Sequence, residues 1–151
     1  MTEQRLKTGL GIFLILAHFS ILLLVIFFWL LGGFRTEEMT TAIAIIAPFF
    51  ASYTTAIIRH IIESKNRVRD SGRSVNAVFT FISFFIPTLF VLLVGSAVVL
   101  KAFNIALASF EDFKLMLGAA ETIFGIYVGQ LIFSLFEKSE AAPPRKENRT
   151  L

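Results

Sequence analysis

The chain has no cysteine, and among its 151 residues it has only two histidines and one tryptophan. The absence of cysteine excludes disulfides, thiol chemistry and metal sites built on cysteine. Charged residues make up 17% of the chain, whereas about a quarter is typical of soluble domains. Because these charges are clustered, they leave long apolar runs, and the remaining residues are too few for a soluble catalytic domain.

Hydrophobic residues make up 56% of the chain, and four apolar runs have the length of membrane spans. A helix needs about 20 apolar residues to cross a bilayer core of roughly 30 Å. The predicted spans are residues 8–31, 39–62, 77–100 and 115–136. The predicted fold class is therefore all-α, an integral membrane four-transmembrane-helix bundle within residues 1–138. Residues 139–151, with two adjacent prolines and mixed charge, are predicted to form a disordered cytoplasmic tail.

The basic residues are distributed unevenly between the two ends of the spans. Four spans put both termini on one side of the membrane, and the positive-inside rule places the more basic side in the cytoplasm. Of the 14 basic residues, all except Arg35, Lys101 and Lys114 fall on that side. We therefore predict a multi-pass protein of the cell inner membrane, with both termini in the cytoplasm.

A basic loop, residues 59–73, overlaps the end of the second span and contains Arg59, Lys65, Arg67, Arg69 and Arg73. We predict that it binds anionic lipid headgroups, at about 1 kcal/mol for each basic side chain near the surface. A nucleotide and an acidic partner protein are the alternatives. The positive-inside rule by itself also accounts for positive charge in a cytoplasmic loop, without any bound ligand or partner.

Glu121 is the one formal charge well inside a predicted span, since Arg59 stands at the end of the second; it lies about two turns below the outer end of the fourth helix. An acid at the bilayer centre costs roughly 2.5–3.5 kcal/mol, so it is a candidate pore-lining, ion-coordinating or proton-binding group. The alternative is a hydrogen-bonded glutamate that only holds helices together. At about 100° per residue, one helix face carries Glu121 with Gly118, Thr122, Gly125 and Gly129. These small residues predict close helix packing, within the chain or against a second copy.

Other polar side chains are also predicted to lie within the membrane. Tyr127 and Gln130 lie on the opposite face of the fourth helix, which makes this helix polar on two faces. His18 lies near the middle of the first span, where a histidine can titrate, relay protons or ligate metal. No nearby acid or second histidine accompanies it on its own helix, so no metal site is predicted. The alternative role for His18 is a hydrogen bond with the residues around Tyr53, at similar depth.

Pro48 and Pro87 interrupt the second and third spans. Each proline removes a helical hydrogen-bond donor, so we predict kinks that serve helix packing. In the alternative, the carbonyl freed by Pro48 and the Glu121 carboxylate lie at one depth and form a cation site.

The sequence lacks the phosphate-binding, zinc-protease and serine-hydrolase motifs. We therefore predict no enzyme activity, no catalytic residue, no cofactor and no nucleic-acid partner. The predicted function is a homo-oligomeric pore or channel, or a membrane-permeabilising effector. The alternatives are a membrane anchor or accessory subunit, whose basic loop and tail bind a partner protein, and a small dimeric transporter.

The stretch from Gly118 to Glu121, continuing through Gly125 and Gly129 to Phe136, lies in a four-span layout. In this stretch and in its four-span layout, the chain resembles the small four-span membrane effectors encoded in bacterial anti-phage defence systems. The resemblance implies disruption of the inner membrane in antiviral defence when a trigger arrives. Many such effectors carry a soluble ligand-sensing domain, and this sequence contains none. The resemblance therefore implies that a separate protein or the basic loop, residues 59–73, senses the trigger.

Overall fold

The computed structural model describes residues 3–64, 76–105, 107 and 109–136. Four helices account for the regular secondary structure of these ranges: α1 (Glu3–Leu30), α2 (Thr36–Ser64), α3 (Ala77–Ala102) and α4 (Phe110–Phe136). Each contains a stretch that is long and apolar enough to cross a membrane. The prediction of an all-α chain with four candidate spans is confirmed, whereas the choice of membrane and the direction of insertion stay predictions. The predicted tail, residues 139–151, lies outside the described residues.

Local capping explains where two of the helices begin. The backbone N–H of Arg35 donates to Glu38 Oε2 at 2.8 Å, so this carboxylate closes the first turn of α2. The side chain of Asn76 accepts from the Val78 N–H at 2.9 Å and starts α3.

The fourth helix begins at Phe110, before the predicted start at Leu115. Glu111 and Asp112 occupy its first turn, where acidic side chains interact favourably with the helix dipole. This earlier start changes the depth of Glu121, which lies about 16 Å along α4 at about 1.5 Å per residue. Glu121 is therefore near the middle of the candidate span Phe110–Phe133, deeper than the sequence predicted.

The four helices are arranged as a square in cross-section. α1 packs against α2 and α3, and α4 packs against the same two helices. The pairs α1/α4 and α2/α3 therefore lie across the two diagonals. Any side-chain contact between α1 and α4 has to cross the centre of the bundle.

The interior is apolar over most of its length, and the outside is apolar as well. Buried side chains from all four helices form one core, which includes Leu14, Ile46, Val94 and Leu117. Many large hydrophobic side chains point outward, such as Ile123 at 71% exposure. An apolar exterior around an apolar core fits a bundle surrounded by lipid.

Both helices that contain an internal proline continue through it. α2 runs through Pro48, which is exposed, and α3 runs through Pro87, which is buried. The hydroxyl of Ser52 donates to the Pro48 carbonyl at 2.8 Å. The predicted kinks at these prolines stay predictions.

Candidate functional site

His18 of α1 and Glu121 of α4 meet at the centre of the bundle. Their nearest atoms, Nε2 and Oε2, are 3.4 Å apart, and both side chains are fully buried. His18 lies near the middle of the candidate span Arg5–Leu30, as Glu121 does in its own. A titratable pair therefore joins the two diagonal helices halfway across the candidate membrane region.

The helical repeat places both residues on inward faces. Leu14, Ile21 and Val25 lie four, three and seven positions from His18, and all three are buried. Glu121 has the same pattern, because the residues at these spacings, Leu117, Phe124 and Val128, are buried too. Each polar residue thus occupies one position of an otherwise apolar stripe, and burial of the stripe forces the pair into the core.

Aromatic rings from the other three helices surround the imidazole of His18. The Phe90 ring of α3 and the Phe124 ring of α4 stack on it, with centroids 5.1 Å and 5.3 Å away. From α2, Tyr53 meets it edge-on at 5.0 Å and Phe50 lies at 6.2 Å. This aromatic cage keeps solvent from the pair and supplies few hydrogen-bond partners.

Four buried polar atoms in this region have no hydrogen-bond partner among the described residues. They are His18 Nδ1, Glu121 Oε1, the Tyr53 hydroxyl and Thr54 Oγ1. A polar group buried without a partner typically costs about 1–3 kcal/mol. Most buried polar groups in proteins are hydrogen-bonded, so these four atoms call for a specific explanation such as a proton-transfer role or a bound water or ion.

A neutral imidazole beside a carboxylate has a net charge of −1, and one added proton makes the pair electrically neutral. That proton lies either on the imidazole, giving an ion pair, or on the carboxyl group, giving two neutral hydrogen-bonded groups. Adding or removing one proton creates a net charge inside a low-dielectric core, which is costly without rearrangement. The arrangement can therefore couple proton binding to a change in helix packing.

The structure brings together three of the predicted site residues, namely His18, Tyr53 and Glu121, and separates them from the others. Thr122 and Gln130 are exposed on the outside of α4. The hydroxyl of Thr122 donates to the carbonyl of Gly118 in its own helix at 2.7 Å. Tyr127 is half-buried, and its hydroxyl donates to the Ile82 carbonyl of α3 at 3.3 Å.

The three glycines of α4 have different surroundings. A Cβ atom at Gly125 would lie 2.7 Å from the ring of Phe49, so α2 and α4 approach closely there. At Gly118 and Gly129 a Cβ atom would meet nothing within 4 Å. Gly125 therefore packs inside the chain, and the other two leave space along α4.

A second ion pair, which the sequence did not predict, joins the other diagonal. Lys101 Nζ of α3 lies 3.5 Å from Glu38 Oε1 of α2. Lys101 is only 4% exposed. Its spacing of seven residues from the buried Val94 was the available signal, because that spacing keeps it on the core face of α3.

The basic loop lies mostly outside the described residues. Lys65, Arg67, Arg69 and Arg73 belong to the range that is not described, and Arg59 is exposed near the end of α2. Lipid or partner binding by this loop therefore stays a prediction.

Within the described ranges, no group of three or more histidine, cysteine, aspartate or glutamate side chains is placed to hold a metal ion. The titratable groups that meet at the centre of the bundle are the imidazole of His18 and the carboxyl group of Glu121. Comparison of the chain with protein-family models, with curated proteins and with solved structures gave no match.

Proposed function

We propose that this protein is a small membrane pore or channel whose conduction is controlled by proton binding at the His18–Glu121 pair. The observation that carries the proposal is the complete burial of both side chains, 3.4 Å apart, at the middle of the candidate spans. Ionisable residues inside a membrane are costly, and they typically mark ion pathways or proton relays.

Apolar side chains on both sides of the pair support the assignment of this bundle as the closed form. Val25 and Val94 fill the core toward the outer end, and Leu10 and Ile57 fill it toward the other end. Such constrictions block ions because water does not remain between apolar walls. Opening therefore requires the helices to separate, and a net charge on the pair supplies a driving force for that separation.

Tyr53 is the third participant in this proposal. Its ring touches His18 edge-on, and its buried hydroxyl has no hydrogen-bond partner among the described residues. A hydroxyl both donates and accepts, so it can pass a proton to or from a neighbouring group. Tyr53 would extend the proton path from the central pair toward α2.

Self-assembly of several copies is part of the proposal, because one closed four-helix bundle has little room for an aqueous path. Glu121 belongs to the interior of its own bundle, so copies would meet through the outward face of α4. Thr122 and Gly129 are exposed on that face. Small residues at such a surface permit close approach of two helices.

A proton-flux measurement tests the proposal. The purified chain is placed in liposomes that contain a pH-sensitive dye, and a potassium gradient with valinomycin drives protons inward. We expect flux above that of empty liposomes, and a loss of at least about tenfold in Glu121→Gln, since an amide cannot exchange a proton as a carboxyl group does. Glu111→Gln, the same substitution at an exposed glutamate of α4, is the matched control and should keep the wild-type flux.

The outcomes separate the proposed function from its alternatives. Wild-type liposomes that are no leakier than empty ones between about pH 5 and 8 would overturn the pore and favour a membrane anchor. Equal flux in wild type and Glu121→Gln would keep the pore but remove the pair from its control. Release of a trapped fluorescent dye together with protons would identify an unselective permeabilising protein.

A further inference from the structure

A groove opens on the outside of the bundle between α3 and α4, directly behind the central pair. Its volume is about 350 Å³. Leu89 and Ile123 form its exposed edges, and the buried rings of Phe90 and Phe124 form its floor. Ala120 lies in one wall of the groove. Because its side chain is only a methyl group, the groove is deep at the level of Glu121.

The position of this groove along the candidate spans determines which class of molecule can fill it. Leu89 lies at the middle of the candidate span Ala77–Ala102, where the surroundings are hydrocarbon. Water is scarce at that depth, and an unfilled apolar groove forfeits dispersion contacts along its walls. Lipid acyl chains are the molecules present there that match an apolar wall.

The polar groups near the groove argue against a buried headgroup. Tyr127 lies at its inner end, and the tyrosine hydroxyl already donates to the Ile82 carbonyl at 3.3 Å. The rest of the lining is apolar. An occupant would therefore place only its chain in the groove and keep its headgroup at the membrane surface.

The floor of the groove is in direct contact with the titratable pair. The Phe90 and Phe124 rings stack on each other with centroids 3.9 Å apart. Both rings also stack on the imidazole of His18, at 5.1 Å and 5.3 Å. A molecule bound in the groove would contact the Phe90 and Phe124 rings, and these two rings pack against His18 next to Glu121.

From these contacts we infer that the α3–α4 groove binds one acyl chain of a membrane phospholipid, and that its occupancy alters the surroundings of His18. The binding site rests on the shape, lining and depth of the groove, and it stands whether or not the chain conducts protons. The effect on His18 rests on the stacked rings alone. No residue of the pair touches the lipid directly.

The two exposed isoleucines of α4 provide a test within the wild-type protein. Ile123, 71% exposed, lines the groove, whereas Ile126, 60% exposed, does not. The protein in mild detergent micelles is titrated with a phosphatidylcholine that carries a spin label at the middle of one acyl chain. We expect a saturable broadening of the Ile123 methyl resonances, several-fold larger than at Ile126. In the same titration the ring nitrogen resonances of His18 should shift.

Two variants at adjacent positions complete the test. Ala120→Phe fills the groove, and Ala119→Phe adds the same ring at a neighbouring exposed position outside it. The saturable broadening should disappear in the first variant and persist in the second. Equal broadening of Ile123 and Ile126 that rises linearly with lipid would overturn the binding site. A saturable effect at Ile123 without any shift at His18 would overturn the link to the pair. If Ala120→Phe fails to fold, the wild-type titration still decides both points.

Discussion

Lys101 and Glu38 join α3 to α2 across one diagonal of the bundle, and their charged atoms lie 3.5 Å apart. His18 and Glu121 join α1 to α4 across the other diagonal at 3.4 Å. Among the described residues, each diagonal of the square therefore carries a polar contact, near the end of the bundle for Lys101–Glu38 and at its centre for His18–Glu121. The two contacts join helices that pack mainly against their neighbours.

The Lys101–Glu38 ion pair should contribute to the stability of the bundle. Glu38→Gln leaves the Lys101 ammonium, 4% exposed, without its carboxylate. We expect a loss of roughly 1–3 kcal/mol in the free energy of unfolding, because the buried ammonium would lose the opposite charge that compensates it. Thermal or denaturant unfolding in detergent micelles, followed by circular dichroism, measures the change. Glu37→Gln is the control, since Glu37 is exposed at the adjacent position, and an equal loss there would contradict the assignment.

A double-mutant cycle separates structural from functional roles of the central pair. Glu121→Met or His18→Phe alone removes one member of a buried pair, which typically costs about 3–5 kcal/mol. Replacing both by apolar groups of similar size should recover most of that loss, because no unpaired polar group remains. The recovered double variant should still fail to pass protons in liposomes. Recovery of flux along with stability would show that the pair serves packing only.

The effect of a glycine substitution in α4 on stability should depend on the free space beside that glycine. Gly125→Ala puts a methyl group 2.7 Å from the Phe49 ring, so we expect a loss of about 1–3 kcal/mol from overpacking between α2 and α4. Gly118→Ala meets nothing within 4 Å, and it should stabilise the helix by roughly 0.5–1 kcal/mol through its lower backbone entropy. Unfolding measurements on the two variants give the comparison. A destabilised Gly118→Ala would mean that something outside the chain packs there.

The proposed assembly through the outward face of α4 has its own test. Gly129→Leu adds a large side chain at an exposed position of that face, so close approach of a second copy would be blocked. We expect the oligomeric fraction, measured by chemical crosslinking in membranes, to fall while the unfolding free energy of the bundle does not decrease, since a glycine is removed from the helix. Ile126→Leu, at another exposed position of α4, conserves volume and should retain the oligomer. A wild-type chain that stays monomeric would rule out assembly by this face.

The sequence indicated which residues are candidates for the site, but it did not indicate which of them lie in contact. Glu121 and His18 were candidates because each is a titratable group inside a long apolar run, which needs no knowledge of packing. Tyr53 was a candidate through its depth alone. The predicted start of the fourth helix at Leu115 was too late, because an acidic first turn at Glu111 and Asp112 begins α4 at Phe110. Glu121 therefore lies farther from the start of its helix than the sequence predicted.

The amino-acid sequence by itself determined that four apolar helices form and which few polar residues lie within them, because length, hydropathy and helical periodicity are local properties of the chain. Only the tertiary structure decided that α1 and α4 face each other across a diagonal. That arrangement converts His18 and Glu121, 103 positions apart in sequence, into one buried pair. It also places Gly125 inside the bundle and leaves Gly118 and Gly129 with open space. The physical reason is that the orientation of a helix about its own axis depends on which side chains its neighbours can bury, and no single segment contains that information.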